Sequence, residues 1–475
     1  MNGDERSRAV QHDTAACYRF VKATAAACKL NGGFPSYPDA TRRLLTHLSK
    51  LSVFTQDFLL TFPSKNPDDP AEHRRRRQLL LTIREAWQSL HFYIQPAVDA
   101  DTLSVPTELI RLLTERVRLI DGCEVLEFAA IHTDKLNYFQ FPPGDFEEAV
   151  RGLGGAISAQ IEFPPNLGLI ALPHSQSQHL FLNGLLAHEI GHFVFSKLRC
   201  LDRLENVISE GLSNEFSPLS NIGLDPKLRG KLPGILQDWA EELFCDLFGV
   251  YLLGPSFALA SVELFDLGNL LATDGTIDST ASKSHVKFQW SHPARLFRLW
   301  RQTELLDTLG WWNEISDNRS HHIQIMQECR KLRPSSFSFD SVNEPIGKQI
   351  ISAFCRVFES VEAEVSRVTG NLRNNGGSDK AVDEFSRLKR TISLYLGHAT
   401  VPSTLFVDKN FTYPSPVVLL NAAHLFYLGG VEDLICKSDK PDSSDIAQRS
   451  IWMERIENWT TKGLEDITML PESGV

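Results

Sequence analysis

Apolar residues recur at helical spacing through the first part of the chain. Two stretches, RRLLTHLSKLSVFTQDFLL from residue 42 and RRQLLLTIREAWQSLHFYI from residue 76, place apolar side chains three and four positions apart, as one face of an amphipathic helix requires. Prolines interrupt the pattern at positions 63, 67, 70, 96 and 106. The pattern predicts a helical N-terminal region over residues 1–130.

The pattern changes in the middle of the chain. Short apolar runs bounded by proline and glycine, FQFPPGDFEEAV from residue 139 and AQIEFPPNLGLIALP from residue 159, are typical of strands and turns. Helical spacing returns later, for example in IISAFCRVFESVEAEVSRV from residue 350. We therefore expect an α+β protein that is mainly α, with a mixed core over residues 131–310 and a helical C-terminal region over residues 311–475.

One segment of the predicted core, LFLNGLLAHEIGHFVFSK at residues 180–197, is apolar on every side. Up to Phe195 its only residues that are neither apolar nor glycine are Asn183, the two histidines and the glutamate of HEIGH. A helix with this composition is expected to be buried. A buried glutamate beside two imidazoles is costly unless a cation compensates its charge. The segment therefore predicts a metal site.

The spacing of the polar residues indicates how a metal would be held. His188 and His192 are four residues apart, so both imidazoles project from one helix face and can bind one zinc ion. Glu189 lies beside the first ligand, where it can take a proton from a water molecule that the metal activates. This is the H-E-x-x-H pattern of metallopeptidases. We predict Zn²⁺ as the cofactor and Glu189 as the general base.

A catalytic zinc site usually has a third protein ligand. The metzincin extension is excluded, because Phe195 and Leu198 stand where it needs glycine and histidine. Gluzincins instead use a glutamate on a later helix, followed four residues on by an aspartate that orients one histidine. After the motif, only Glu242 is followed in this way, by Asp246 in QDWAEELFCDLFGVYLL.

The neighbours of Glu242 leave alternatives open. Glu241 is the rival ligand, but the residue four positions after it is Cys245 rather than a carboxylate, so Glu242 is preferred and replacing Glu241 should do little. Cys245 is interpreted as a small core residue, with ligation or gating of the zinc as the alternative. Gly249 would let the helix with the H-E-x-x-H motif pack closely, with ordinary helix packing as the alternative.

Three motifs together resemble the gluzincins related to the CAAX-prenyl endopeptidases and the HtpX-like peptidases. They are LLAHEIGH, EELFCDLFG and SHPARLFR, in the order of that group, and they cover residues 188–298. The chain departs from the group in lacking a membrane span and in having Cys245 where alanine is usual. The resemblance implies a thermolysin-like zinc endopeptidase core with His292 and Arg298 near the active site.

The resemblance also suggests which residues would stabilise the oxyanion of the reaction. His292 and Arg298 are the first choices as donors, and Tyr251 and His174 are weaker ones. For Arg298 the alternative is a buried structural partner of Asp246 or Glu242, and for His292 the alternative is a cap at the start of the helix. The segment at residues 166–172 is either an edge strand to which an extended substrate adds or an ordinary buried strand.

Composition restricts the partners and the compartment. The formal net charge of −11 argues against a nucleic-acid or anionic-membrane surface, and the basic run HRRRR at residues 73–77 is interpreted as a solvated helix end, with an acidic partner as the alternative. Eight scattered cysteines and an N-terminus without an apolar signal segment indicate a cytoplasmic protein. No stretch predicts a membrane span.

The function expected from these observations is hydrolysis of peptide bonds in an intracellular protein or peptide substrate. The expectation includes an enzyme that is latent and becomes active only when a regulatory protein partner or a signal releases it from inhibition. The alternative is a catalytically silent scaffold in which a metal ties two helices together. An intact Glu189 argues against the scaffold, because a structural metal site has no use for a general base.

Overall fold

The computed structural model describes most of the chain. The described residues are 3–26, 39–62, 70–100, 105–133, 138–141, 143–157, 166–176, 179–216, 226–265, 293, 295–331, 344–374, 378–407, 410–430 and 445–468. They form two compact units, one of Met1–Thr107 with Val125–Gln178 and one of Glu108–Glu124 with His179–Val475. The predicted strands therefore belong with the N-terminal helices, and the predicted metal segments belong with the C-terminal helices.

The described residues are mainly helical, as the sequence predicts. The helices are α1 (Gly3–Ala26), α2 (Asp39–Thr61), α3 (Pro70–Asp99), α4 (Thr107–Arg118), α5 (Pro143–Ile157), α6 (Leu186–Lys197), α7 (Cys200–Phe216), α8 (Pro226–Leu253), α9 (Pro255–Leu264), α10 (Arg295–Thr308), α11 (Trp311–Ile315), α12 (His321–Arg330), α13 (Glu344–Val368), α14 (Gly370–Asn374), α15 (Ser378–Gly397), α16 (Pro416–Leu425) and α17 (Asp445–Thr468). The strands are β1 (Glu127–Thr133), β2 (Phe139–Phe141), β3 (Leu167–Pro173), β4 (Leu405–Val407) and β5 (Asn410–Thr412). Short 3₁₀ turns at His174–Gln176 and Leu182–Leu185 and a π-helical turn at Phe426–Gly430 complete the described elements.

The first unit packs α1, α2, α3 and α5 around a small sheet. The apolar face of α2 is buried against this sheet and its neighbouring helices, with Leu44, Leu48 and Leu51 almost fully covered. Helix α3 begins with the HRRRR run, and Arg76 and Arg77 form ion pairs with Glu72 and Asp13. The run is a helix end with local ion pairs, which agrees with its first interpretation.

Strand β3 is the centre of the sheet in the first unit. β1 pairs with it in parallel along its whole length, and β2 pairs with it in antiparallel fashion from Leu169 to Ala171. All residues of β3 are buried. The edge-strand prediction for residues 166–172 is therefore wrong, because β1 and β2 occupy both sides of the strand. The alternative, an ordinary buried strand, is the one observed.

In the second unit, α6 packs against the long helix α8. The apolar stripe of α8 is buried: Leu232, Ile235, Leu236, Trp239, Leu243, Leu247 and Val250. A β-carbon added to Gly191 of α6 would lie 2.9 Å from the Cα of Cys245 on α8, so only glycine allows this approach of the two backbones.

For Gly249, the other glycine considered for this close packing, the structure shows the alternative, ordinary packing against another helix. A β-carbon at Gly249 would meet the ring of Phe257 on α9 at 2.5 Å. Gly249 therefore gives room to Phe257, and Gly191 is the residue that allows α6 and α8 to come together. Within the described part of the chain, no helix combines the length and the apolar character needed to cross a membrane.

Candidate metal centre

Helix α6 presents the H-E-x-x-H motif inside the second unit. The helix follows a 3₁₀ turn at Leu182–Leu185 and is buried along most of its length, including His188 and Glu189, while His192 is half-buried. The helical repeat puts His188 and His192 on one face, one turn apart. The burial predicted from the apolar composition of this segment is confirmed.

The side chains of α6 and α8 converge on one point. The Nε2 atoms of His188 and His192 are 3.2 Å apart. The two oxygens of the Glu242 carboxylate lie 3.4 Å from His188 Nε2 and 3.6 Å from His192 Nε2. Ligands about 2.0 to 2.1 Å from a tetrahedral zinc ion are separated from each other by about 3.3 Å. The spacing of these three groups fits a metal ion held between them.

The other nitrogen of each imidazole contacts a carboxylate. His188 Nδ1 is 2.9 Å from Asp246 Oδ1, and His192 Nδ1 is 2.8 Å from Glu241 Oε1. Since a carboxylate accepts hydrogen bonds, each Nδ1 donates, and each Nε2 turns its lone pair toward the other. Two lone pairs facing each other at this distance require a cation or a proton between them.

Glu241 therefore has a place in the site that the sequence did not predict. The sequence predicted an orienting aspartate for one histidine, and Asp246 contacts His188 as expected. Glu241 does the equivalent for His192. Glu241 and Glu242 therefore have different roles. Glu241 contacts Nδ1 of His192, whereas Glu242 lies near the Nε2 atoms of both imidazoles, because consecutive residues of α8 point in different directions.

Arg298 on α10 holds the two buried carboxylates of α8. Its Nε and Nη2 donate to Asp246 at 2.6 and 2.8 Å, and its Nη1 is 3.0 Å from Glu242 Oε2. The guanidinium also lies over the ring of Phe265. With these nitrogens committed to carboxylates, Arg298 is a positioning residue, which corresponds to the structural alternative rather than to an oxyanion donor.

The charges of this centre favour a cation. Four carboxylates surround the imidazoles, against one guanidinium: Glu189, Glu241, Glu242 and Asp246 against Arg298. Three of these carboxylates are buried and Glu241 is half-buried, so the excess negative charge is costly unless protons or a metal ion neutralise it. A divalent cation would neutralise most of it.

The pKa values of the centre also indicate that its carboxylates need a positive partner. Burial alone lowers the pKa of His188, but hydrogen bonds with Asp246 and Glu242 and their charges raise it to about 10. Burial raises the pKa of Glu242 and of Asp246, yet His188 and Arg298 hold both carboxylate pKa values below their usual range. Without a metal, the centre therefore keeps a proton on His188.

Cys245 is a second candidate for the third ligand. Its Sγ and the imidazole nitrogens all lie within 4.8 Å of one another, so His188, His192 and Cys245 form a buried group that could hold a metal ion. The oxygens of Glu242 lie 3.4 Å from His188 Nε2 and 3.6 Å from His192 Nε2, which suits a shared metal ion. Burial and four nearby carboxylates raise the pKa of the Cys245 thiol well above its usual value, which disfavours the thiolate that would bind. We therefore prefer Glu242 as the ligand.

Glu189 is buried and lies near Cys245. Its carboxylate forms no hydrogen bond or ion pair with another of the described residues. A buried carboxylate needs a polar partner, and the described residues do not provide one. A water molecule beside the two imidazoles would supply it.

The remaining candidates from the sequence are Tyr251, His292 and His174. The hydroxyl of Tyr251 lies 3.0 Å from Ser366 Oγ, on α13. His292 and the side chain of His174 lie outside the described residues. The role of His292 as an oxyanion donor stays a prediction.

No protein-family model, curated protein or solved structure matches the chain. The resemblance to the CAAX-prenyl and HtpX-like gluzincins therefore rests on the three sequence motifs alone, and the metal centre rests on its own geometry.

Proposed function

We propose that the chain is a zinc-dependent endopeptidase of the gluzincin type. The observation that carries the proposal is the convergence of two imidazole nitrogens and one carboxylate at separations of 3.2 to 3.6 Å. His188, His192 and Glu242 are the proposed ligands. Two imidazoles and a carboxylate, with a fourth position free for water or substrate, are typical of catalytic zinc rather than of structural zinc.

A zinc ion bound here would act as a Lewis acid that acidifies water and polarises the scissile carbonyl. Glu189 accepts a proton from the attacking water and delivers it to the nitrogen of the leaving amine. Asp246 and Glu241 keep the imidazoles in one tautomer and one orientation. Arg298 fixes the carboxylates of α8 and offsets part of their charge.

The proposed substrate is an intracellular protein or peptide, which follows from the resemblance to soluble relatives of the CAAX-prenyl and HtpX-like peptidases. Regulation of the activity by a protein partner remains part of the proposal, because uncontrolled peptide-bond hydrolysis inside a cell is harmful. The proposal does not include a prenylated or membrane substrate, because the chain lacks the membrane spans of those families in its described part.

The test uses the purified full-length protein with zinc measured by elemental analysis. A diverse peptide library is incubated with wild-type protein, with chelator-treated protein, and with chelator-treated protein to which zinc is restored. We expect cleavage that chelation abolishes and zinc restores. Glu189→Gln should keep the zinc and lose the cleavage, because an amide cannot accept the proton. Glu205→Gln, at an exposed position of α7, is the matched control.

Two results would contradict the proposal. If wild-type protein with one zinc per chain cleaves none of the peptides, either alone or with cell extract added to supply a partner, the metal serves a scaffold that ties α6 to α8. If Glu189→Gln cleaves at the wild-type rate, Glu189 is not the base and the mechanism is wrong.

A further inference from the structure

A large cavity lies in the second unit, away from the metal centre. Its volume is about 1220 Å³, and residues of α11, α12, α15, α16, α17 and the π-helical turn at Phe426–Gly430 line it. Among the described residues that line it, none belongs to the metal centre. Small-molecule sites are typically clefts of roughly 300 to 1,000 Å³, so this cavity has room for a ligand of nucleotide size with water.

The charged groups of the cavity wall are mainly positive. Lys389 is neutralised by Glu314, because its Nζ is 2.7 Å from the Glu314 carboxylate. The other charged side chains of the wall are Asp317, Arg319, Arg390 and Arg449. Arg319 and Arg390 against Asp317 leave a local positive excess on a chain whose formal net charge is −11.

Two of these arginines are available to a ligand. Arg319 and Arg390 are exposed, and neither forms an ion pair with another of the described residues. An arginine presents a planar fork of N–H groups that matches the oxygens of a phosphate. Arg319 and Arg390 come from different elements, so a ligand bound between them would contact α15 and the start of α12.

The start of α12 adds to the positive potential on this wall. Ser320 caps the helix by accepting a hydrogen bond from the Ile323 N–H, and His321 and His322 of the first turn line the cavity. The first N–H groups of a helix lack partners within the helix and favour a phosphate. The start of α12 adds to the positive potential of the arginines, and it would not define a binding site without them.

Another part of the wall is aromatic. Phe426 is half-buried and lines it, while Phe385 and Tyr427 lie behind it and are buried. The π-helical turn ends in Gly429 and Gly430, and a β-carbon at Gly430 would come within 2.3 Å of the Phe426 ring. Side chains larger than hydrogen would therefore displace this ring. The Phe426 ring beside the two exposed arginines suits a ligand with a ring and with phosphate groups.

We propose that this cavity binds a phosphate-bearing small molecule of nucleotide size, with Arg319 and Arg390 on its phosphates and the Phe426 side of the wall against its ring. The site is separate from the metal centre and does not depend on the proposed peptidase activity. Binding should weaken with added salt, because the contacts are between charged groups at the surface.

Isothermal titration calorimetry on the full-length protein, in buffer freed of metal ions, tests the proposal. The probes are ATP, inorganic tripolyphosphate and a glutamate-rich peptide. We expect saturable binding of ATP to one site per chain and weaker binding of tripolyphosphate. Arg319→Gln and Arg390→Gln should each weaken ATP binding by roughly tenfold or more. Arg387→Gln, an exposed position on α15 that does not line the cavity, is the matched control and should bind normally.

Two further variants test whether ATP binds inside this cavity rather than at the metal centre. Ser393→Trp narrows the cavity without changing its charge and should also abolish binding. Phosphates can also bind to a protein through a metal ion, so a variant of the metal centre is needed as a control. His188→Ala removes a proposed metal ligand and should leave ATP binding unchanged, because the cavity is separate from the metal centre. Absence of ATP binding, binding that survives the double variant Arg319→Gln and Arg390→Gln, or binding of the peptide alone would overturn the proposal.

Discussion

Glu241 is the residue whose role changes most between sequence and structure. Its Oε1 lies 2.8 Å from His192 Nδ1, so it orients the second proposed ligand as Asp246 orients the first. We predict that Glu241→Ala weakens zinc binding by roughly 10 to 100-fold, which is typical when an outer hydrogen-bond partner of a ligating histidine is lost. Competition with a chelator of known affinity measures the change.

The matched control for Glu241→Ala is Glu210→Ala, an exposed position on α7. Unchanged zinc affinity in the Glu241 variant would show that the His192 contact has no energetic role. It would also restore the expectation, drawn from the sequence, that Glu241 matters little.

Arg298 carries a different prediction, because it is buried and contacts two carboxylates at once. Removing one member of such a buried network leaves uncompensated charge, which costs about 3 to 5 kcal/mol. We predict a loss of that size in the free energy of unfolding for Arg298→Gln, measured by denaturant titration of the metal-free protein. Arg298→Lys should recover only part of it, because a single ammonium cannot bridge both partners.

The control for Arg298 is Arg199→Gln. Arg199 forms an exposed ion pair with Asp202, and such pairs contribute about 0 to 1 kcal/mol. If Arg298→Gln destabilises the protein no more than Arg199→Gln does, the guanidinium is not needed to hold the carboxylates in place.

At the scale of the secondary-structure elements, Gly191 determines how closely α6 approaches α8. The added β-carbon of Gly191→Ala would lie 2.9 Å from the backbone of Cys245, so the helices must separate or tilt. We predict a loss of about 1 to 3 kcal/mol in unfolding free energy and weaker zinc binding, because the proposed ligands come from both helices. Circular dichroism during thermal unfolding and zinc titration measure the two effects.

Gly234→Ala is the control for Gly191→Ala. Nothing lies within 4 Å of a β-carbon at Gly234, which is an exposed position of α8. Alanine there should leave zinc binding unchanged and stabilise the protein by roughly 0.5 to 1 kcal/mol. Normal zinc affinity and stability in Gly191→Ala would mean that the contact between α6 and α8 can relax at little cost.

The elements also show how far a sequence can predict the site. Helical spacing predicts the helix with the H-E-x-x-H motif and the apolar stripe of α8, because both patterns are local. Spacing along one helix also brings Glu242 and Asp246 to one face. The contact between Glu241 and His192 depends on where α6 crosses α8, which no pattern within one helix determines. For the same reason the sequence suggested Gly249 where Gly191 is the close contact.

The sheet of the first unit shows the same limit of prediction from sequence, because contacts between elements are not visible within one element. The apolar run of β3 predicts a buried strand, but its neighbours decide whether it is an edge. β2 has only three residues, too few to show an alternating pattern, and it pairs with one side of β3. The sequence therefore left the edge and the central position open, and only the pairing distinguishes them.

At the scale of the whole molecule, the proposed ligands all belong to one of the two compact units. His188 and Glu242 are far apart in sequence and meet only when α6 and α8 are folded together. A metal that binds only the folded state stabilises it by about 4.1 kcal/mol when its concentration is 1,000 times its dissociation constant. The unfolded second unit has no such site, so metal binding stabilises the folded state of the second unit.

We therefore predict that zinc changes hydrogen exchange unevenly along the chain. Amides of α6 and α8 should exchange more slowly when zinc is added, because exchange from these buried helices requires opening of the unit that holds the metal. Amides of α2 and β3, in the first unit, should be unaffected. The double variant His188→Ala and His192→Ala should show no effect of zinc anywhere. Equal slowing in both units would mean that the chain unfolds as a single cooperative structure, while slowing in the double variant would place the metal at other residues.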